Sequence, residues 1–399
     1  MSATGSASAL VSLDRTCGSA LAKPVAHFSS ACDPQNEFSK RHLAPGYRTI
    51  PMTNPKRSNL ETRRLAIARI GAAALAASNI ARLADAAGVD DQYEGLESGK
   101  YLSDLKVLAT VNDEKVFTEG PAADAHGNLY FTNVPANKIL KWDGKSLTGF
   151  RENSNAANGL YFEPDGSLLA CEGGAKRVTR TNMKTGEIKV LADSYNGFPL
   201  ASPNDLCCDA AGRIYFTSRP GADDPAKGNV NAVYRIDSDG NLTQLLKSPE
   251  IHMPNGIVIS PDNQTLYLIE AHPDADRNRN ILAFDLGADG SLSNRRTLIN
   301  FYPGRSGDGM CIDSQGNLYV AAGLHATRKT SETLDTRPGI HVVSPAGKLL
   351  AFMRTPEDTI TNCTFGGADL KTLFVACGTT LVSIRTTIPG KATYRPIDE

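Results

Sequence analysis

The sequence has no excess charge of either sign: 42 lysines and arginines stand against 43 aspartates and glutamates, a formal net charge of −1. That balance leaves no basic footprint for nucleic acid and no charged face for a membrane surface. No stretch reaches ~18 consecutive uncharged apolar residues, so a transmembrane helix is not expected. The eight cysteines include no C-x-x-C pair, and Cys207 and Cys208 are adjacent, which argues against a zinc ribbon. Cys171, Cys207, Cys311 and Cys377 lie in apolar, strand-like runs and read as buried thiols. Several catalytic signatures are also missing. Gly304-Arg305-Ser306-Gly307 is followed by Asp308, so G-x-S-x-G is not completed, and the seven histidines contain no H-E-x-x-H. Gly144-Lys145-Ser146 mimics the end of a P-loop, but Ile139 stands where the upstream glycine is required.

Residues 1 to about 100 differ from the rest. Positions 1–51 show no sustained periodicity and are expected to be disordered, outside any mature protein. Over 52–87, Arg63-Arg64 precede an alanine-rich apolar run and the tripeptide Ala84-Asp85-Ala86. This is the pattern of a twin-arginine export signal, with Met52 as a candidate start, and it implies a periplasmic or secreted protein. An amphipathic alanine-rich helix, favoured by Arg69 inside the run, is the alternative and would leave the protein cytoplasmic. A linker is expected over 88–104 and a tail over 389–399.

Between these limits one phrase recurs six times. Glu119-Gly-Pro leads to Gly127-Asn-Leu-Tyr-Phe, Asn158-Gly-Leu to Gly166-Ser-Leu-Leu-Ala, and Asn204-Asp-Leu to Gly212-Arg-Ile-Tyr-Phe. Asn255-Gly-Ile, Asp308-Gly-Met and a looser Asn362-Cys-Thr complete the set. The leads are 39, 46, 51, 53 and 54 residues apart, a propeller-blade period. Each period holds four short strands; in the second they fall near 159–163, 167–172, 176–182 and 186–191, separated by turns such as Pro164-Asp165-Gly166. With no long helical pattern, the reading is an all-β, six-bladed propeller over 105–388, four antiparallel strands per blade. The last copy lacks a strand, which Leu105–Thr110 would supply, closing the ring and removing an edge.

Equivalent positions in a propeller form a ring. Glu119, Asn158, Asn204, Asn255, Asp308 and Asn362 open the innermost strands and should converge at one mouth of the channel. Two carboxylates among asparagines, without histidine or cysteine, favour one hard divalent cation there, Ca²⁺ before Zn²⁺, Mn²⁺ or Mg²⁺. Asn-Gly and Asp-Gly also open ordinary turns, but turns do not require Glu119, and two buried carboxylates need a cation or partner to offset them. The second strands return to this mouth with Asn133, Glu172, Ser218, Glu270, Ala322 and Cys377. Long loops then follow, carrying Arg219, His272, Arg277, His325 and Arg328, of which Arg277 and Arg328 read as solvated surface charges.

At these residues the sequence resembles the gluconolactonase/regucalcin (senescence marker protein) family of calcium-dependent propellers. The matching phrases are Glu119-Gly-Pro, Asn158-Gly-Leu, Ser202-Pro-Asn-Asp205, Pro254-Asn-Gly256, Asp308-Gly-Met310, Cys171-Glu…Arg177-Val-Thr-Arg-Thr181 and Phe365-Gly-Gly367…Lys371-Thr-Leu-Phe374. The resemblance implies a lactone hydrolase with Glu119, Asn204, Asn255 and Asp308 at the metal and Asn158 in the pocket. It makes Asp308 the general-base candidate, activating water while the metal polarises the carbonyl. Glu172, Arg219, Glu270, His272 and His325 are the remaining substrate-binding candidates, facing a small lactone or ester. Asn133 and Ser218 depart from the aspartates expected there, which marks the pocket wall as altered. An esterase or phosphotriesterase on the same metal, and a non-catalytic calcium-binding propeller, are the competing readings; fold alone does not choose.

Overall fold

A computed structural model describes residues 91–393 except positions 221, 222, 229 and 358. The disordered stretch expected at 1–51 and the signal or helix over 52–87 lie outside the described residues, as does the end of the tail. Six four-stranded antiparallel sheets account for nearly all regular structure. Their innermost strands are Thr118–Ala123, Ala157–Phe162, Pro203–Cys208, Pro254–Ile259, Gly307–Ile312 and Ile360–Gly366. Each packs against the next and the last against the first, which closes a six-bladed ring. The sixth blade takes Leu102–Thr110 as its outermost strand, paired antiparallel to Thr380–Thr386, as the missing-strand argument required.

The blades form because apolar residues of adjacent sheets interdigitate. The core is six clusters, each shared by two neighbouring blades: Leu169 and Cys171 of the second with Leu206 and Phe216 of the third, Ile269 and Ile281 of the fourth with Met310 and Val320 of the fifth. Both faces of the inner strands are therefore buried, which explains their nearly continuous apolar runs. The cysteines of the first and second strands are free, with Cys171, Cys207, Cys208, Cys363 and Cys377 buried.

Every inner strand breaks register at or beside its lead residue. Glu119 pairs with Thr132 and Ala122 with Tyr130, so one extra residue is inserted at Gly120-Pro121. The same one-residue bulge recurs between Ala157 and Leu160, Pro203 and Leu206, Pro254 and Ile257, Gly307 and Met310, and Ile360 and Asn362. A bulge bends the strand and re-aims a side chain, and here it turns each lead residue toward the axis.

The residues that end the second strands do not line a pocket. Four of them, Asn133, Glu172, Ser218 and Glu270, are posts that hold the loop entering the inner strand beside them. Asn133 accepts the Phe117 N–H at 3.0 Å and donates to Asp113 at 2.8 Å; the Ser218 hydroxyl accepts the Ser202 N–H at 3.0 Å. Glu172 accepts from Asn155 at 3.0 Å and is clamped by Arg151 at 2.5 Å and Arg177 at 2.7 Å. Glu270 accepts the His252 N–H at 2.7 Å and that of Met253 at 3.4 Å. Asn133, Glu172, Ser218 and Glu270, expected in the pocket wall, thus have their side-chain hydrogen bonds directed to the entry loops.

Candidate metal and substrate site

Five of the six lead residues line one open cavity of about 350 Å³ at a mouth of the channel: Glu119, Asn158, Asn204, Asn255 and Asp308. The sixth lies deeper. The Asn362 amide donates to the Asp205 carboxylate at 3.2 Å, one layer inward along the channel, so Asn362 is not part of the mouth. Asp205 occupies the position that glycine holds after most lead residues, and burial pushes its carboxyl up to about 7 despite the hydrogen bond from Leu206 N.

Glu119 and Asp308 differ in how they are satisfied. Asp308 is 8% exposed and both its oxygens are engaged: Arg305 Nη2 donates to Oδ2 at 2.5 Å, and the Asn255 amide donates to Oδ1. Arg219 Nη1 stands 3.9 Å from Oδ1. Glu119 is equally buried, yet among the described residues its only donor is its own neighbour Gly120 N at 3.2 Å. Burial first, then the charges of Asp308 and Asp205, push the Glu119 carboxyl well above the usual carboxylate range. A buried carboxylate without a cationic partner, beside a second carboxylate, is costly unless a cation is supplied.

The donor set can be tested against a metal. The side-chain amides of Asn158 and Asn204 make no hydrogen bond among the described residues, leaving amide oxygens free at the cavity wall beside Glu119. Among the described residues no three His, Cys, Asp or Glu side chains cluster as a metal site. The set is two carboxylates plus neutral amide oxygens, which fits a hard oxygen-seeking cation that keeps water and does not fit a nitrogen- or sulfur-seeking one.

The other expected site residues divide. Arg219 lines the cavity; its Nη2 also contacts the Met253 sulfur at 3.3 Å. Glu172 and Glu270 are the posts described above and do not line it. His272 sits beside the cavity residues Ala271 and Pro273, but its Nδ1 accepts the Asp274 N–H at 3.2 Å and its ring stays outside the lining. His325 is half-buried with Nδ1 3.5 Å from Arg354, also outside it. Arg328, read from sequence as a solvated charge, is exposed and does line the cavity. Two charged lining residues were not among the candidates named from sequence. Arg305 lies three positions before Asp308 and also donates to the carbonyls of Gly323 at 3.3 Å and Ile360 at 3.2 Å. Glu332, 9% exposed, comes from the loop after the fifth blade's second strand and accepts from Thr330 at 2.9 Å. The motif around Arg305 was a usable signal, since an arginine beside a lead carboxylate invites pairing; nothing in the sequence singles out Glu332.

The fold and mouth define a class: six-bladed propellers that gather oxygen donors from successive inner strands around the axis. The particular family follows from comparison. The SMP-30/gluconolactonase/LRE-like region matches residues 117–379, and the chain belongs to that family. A gluconolactonase from Zymomonas mobilis is 31% identical over 300 residues, covering 68% of this chain and 78% of that protein. Regucalcin from Bos taurus is 26% identical over 284 residues, covering 69% and 88% respectively. A solved gluconolactonase from Xanthomonas campestris is 30% identical, covers 72% of this chain and 92% of its own, and superposes with a TM-score of 0.59.

Proposed function

We propose that this protein is a lactone hydrolase of gluconolactonase type, opening the ring of a small aldonolactone in the cavity at the channel mouth. Membership of the family, with gluconolactonases among the relatives that span most of the chain, supports the reaction class. The observation that carries the site is Glu119, a buried carboxylate facing four other lead residues with no hydrogen-bonded or ion-paired cation among the described residues, only the more distant charge of Arg219. Glu119, Asn204, Asn255 and Asp308 would hold one divalent cation, with Ca²⁺ first among the candidates in view of the regucalcin relatives. Bound there, such an ion supplies Lewis-acid polarisation of a carbonyl.

The chain's own groups divide the remaining work. Arg305 and Asn255 hold the Asp308 carboxylate from both oxygens, which fixes its direction into the cavity. Asp308 is the candidate to accept a proton from the attacking water as the carbonyl carbon gains its oxygen. Asn158, at the wall and free of other hydrogen bonds among the described residues, is placed to orient a substrate hydroxyl or ring oxygen. The ring C–O bond then breaks and the alcohol leaves with a proton, giving the open-chain hydroxy acid.

Chelator-stripped full-length protein, refilled with Ca²⁺, Mg²⁺, Mn²⁺ or Zn²⁺, should be assayed on a panel of lactones by proton release. Activity returning with metal, and falling by about 10²–10⁴ in Glu119→Gln and Asp308→Asn, is the expected result. The same metal should raise the melting temperature of the wild type and not of Glu119→Gln; at a hundred times its dissociation constant it adds about 2.7 kcal/mol. A protein that is stabilised by metal yet leaves every lactone intact would refute the hydrolase reading.

A further inference from the structure

The cavity carries more positive charge than its metal site needs. Three arginines line it, Arg219, Arg305 and Arg328, against the carboxylates Glu119, Asp308 and Glu332. Arg305 is spent on Asp308 and two backbone carbonyls. Arg219 is not. Its nearest carboxylate oxygen is 3.9 Å away and already accepts from Asn255, and its other terminal nitrogen contacts only a thioether sulfur. Arg328 makes no hydrogen bond or ion pair among the described residues. Once a divalent cation offsets Glu119 and Asp308, the wall holds three guanidinium groups against the single carboxylate of Glu332. An anion entering this space would be attracted, and planar guanidinium groups favour a carboxylate or phosphate through paired N–H donors.

We propose that the substrate is an anionic lactone, one carrying a carboxylate or phosphate away from the ring carbonyl, with Arg219 and Arg328 as the residues that recognise it. This deepens the lactonase reading and rests on it. Arg219 reaches over the Asp308 side of the cavity while Arg328 comes from the long loop after residue 322, so the charged group is held at the rim and the ring carbonyl is left to face Glu119 and Asp308. A neutral aldonolactone offers these two guanidinium groups hydroxyl and ring oxygens but no charged acceptor.

The experiment compares the metal-loaded full-length protein on three lactones that share one ring: neutral, carrying a carboxylate at the terminal carbon, and carrying a phosphate there. We expect kcat/KM for one of the charged pair to exceed that of the neutral lactone by about tenfold or more, the effect of a charge-assisted hydrogen bond. Arg219→Gln and Arg328→Gln should each lower that ratio by about tenfold, with the loss mainly in KM. Preference for carboxylate or for phosphate identifies the anion, and either supports the proposal. A ratio near one, or one that neither substitution moves, overturns it. A second arm needs no turnover: thermal stabilisation by an unreactive anhydro-sugar with and without the carboxylate. If no lactone is hydrolysed, the parent reading fails by itself, and this arm still decides the charge question. Greater stabilisation by the charged analogue, lost in Arg219→Gln, supports the anion site; equal stabilisation refutes it.

Discussion

Glu270, a substrate-binding candidate in sequence, has its side chain turned onto the backbone of the loop beside it. It has no exposed surface, and burial pushes its carboxyl up to about 7 against the N–H donors of His252 and Met253. A folded pKa above the unfolded one means the native state binds the proton more tightly. The stability this gives is fully present below the unfolded value of 4.5 and is lost as pH rises through about 7. The upper bound is about 3 kcal/mol, from 1.36 kcal/mol per pKa unit. Glu270→Gln keeps an oxygen for both N–H groups and removes the titration. Its stability relative to wild type, measured by urea unfolding, should therefore rise between pH 5 and pH 8; equal differences at the two pH values would sink the assignment. The lead residues were legible because a ring of matching positions needs only spacing to find. That the side chains of Asn133, Glu172, Ser218 and Glu270 turn back on the strand entries beside them was not legible, because period places a residue at a strand end without telling which way its side chain turns. Arg305 and Glu332 were missed for a related reason: both reach the cavity from loops, where period carries no information.

At the scale of the strand, the bulge is what converts a repeat into a site. Glycine after the lead residue is needed where inner strands crowd the axis. Gly120 has φ +48°, and a Cβ there would lie 2.0 Å from the Asn158 carbonyl oxygen. Gly127, in the following hairpin turn, has φ +78° but nothing within 4 Å. The pair separates two costs. Gly127→Ala should lose only the left-handed backbone penalty, about 1 kcal/mol, whereas Gly120→Ala adds a collision with backbone, for about 2–5 kcal/mol in total. Because the collision moves Asn158 and Glu119 together, Gly120→Ala should also lose metal-induced stabilisation. Chemical denaturation of the two variants, with and without Ca²⁺, tests both statements; equal costs would show that the close approach is relieved elsewhere. The sequence exposed this element well, since the second blade's strands fall within two residues of their expected bounds. The bulge itself was hidden, because period-2 alternation is interrupted by one residue and reads as an ordinary turn opener.

At the scale of the molecule, the ring has six hydrophobic cores and no centre of its own, so its integrity depends on the interface where the two chain ends meet. Leu102–Thr110 completes the sixth blade against Thr380–Thr386, and Leu102 is 2% exposed within the core shared with the fifth. Ahead of it, Tyr93 is anchored on the fifth blade: its hydroxyl meets His341 Nε2 at 2.9 Å and accepts the Arg337 N–H at 3.0 Å. Across the first–sixth interface, Thr361 donates to the Thr118 carbonyl at 2.6 Å, and Thr118 to that of Gly378 at 2.9 Å. Farther along the channel, Lys391 of the returning chain lines the cavity beside Asp205 and Asn362, its Nζ donating to Ile259 O at 3.0 Å and Ser260 O at 3.3 Å. A chain beginning at residue 112 keeps every lead residue but removes the strand and the anchor. It exposes the backbone edge of Thr380–Thr386, an open template for pairing with another copy, and uncovers apolar surface worth about 25 cal/mol per Å². The expected result is a melting temperature lower by about 10 °C or more than that of the full chain, together with concentration-dependent association on size exclusion. Leu102→Ala should lie between the two, costing about 2–5 kcal/mol without opening the edge. If the shortened chain stays monomeric and melts with the full chain, closure does not depend on the N-terminal strand, and the first–sixth interface alone holds the ring.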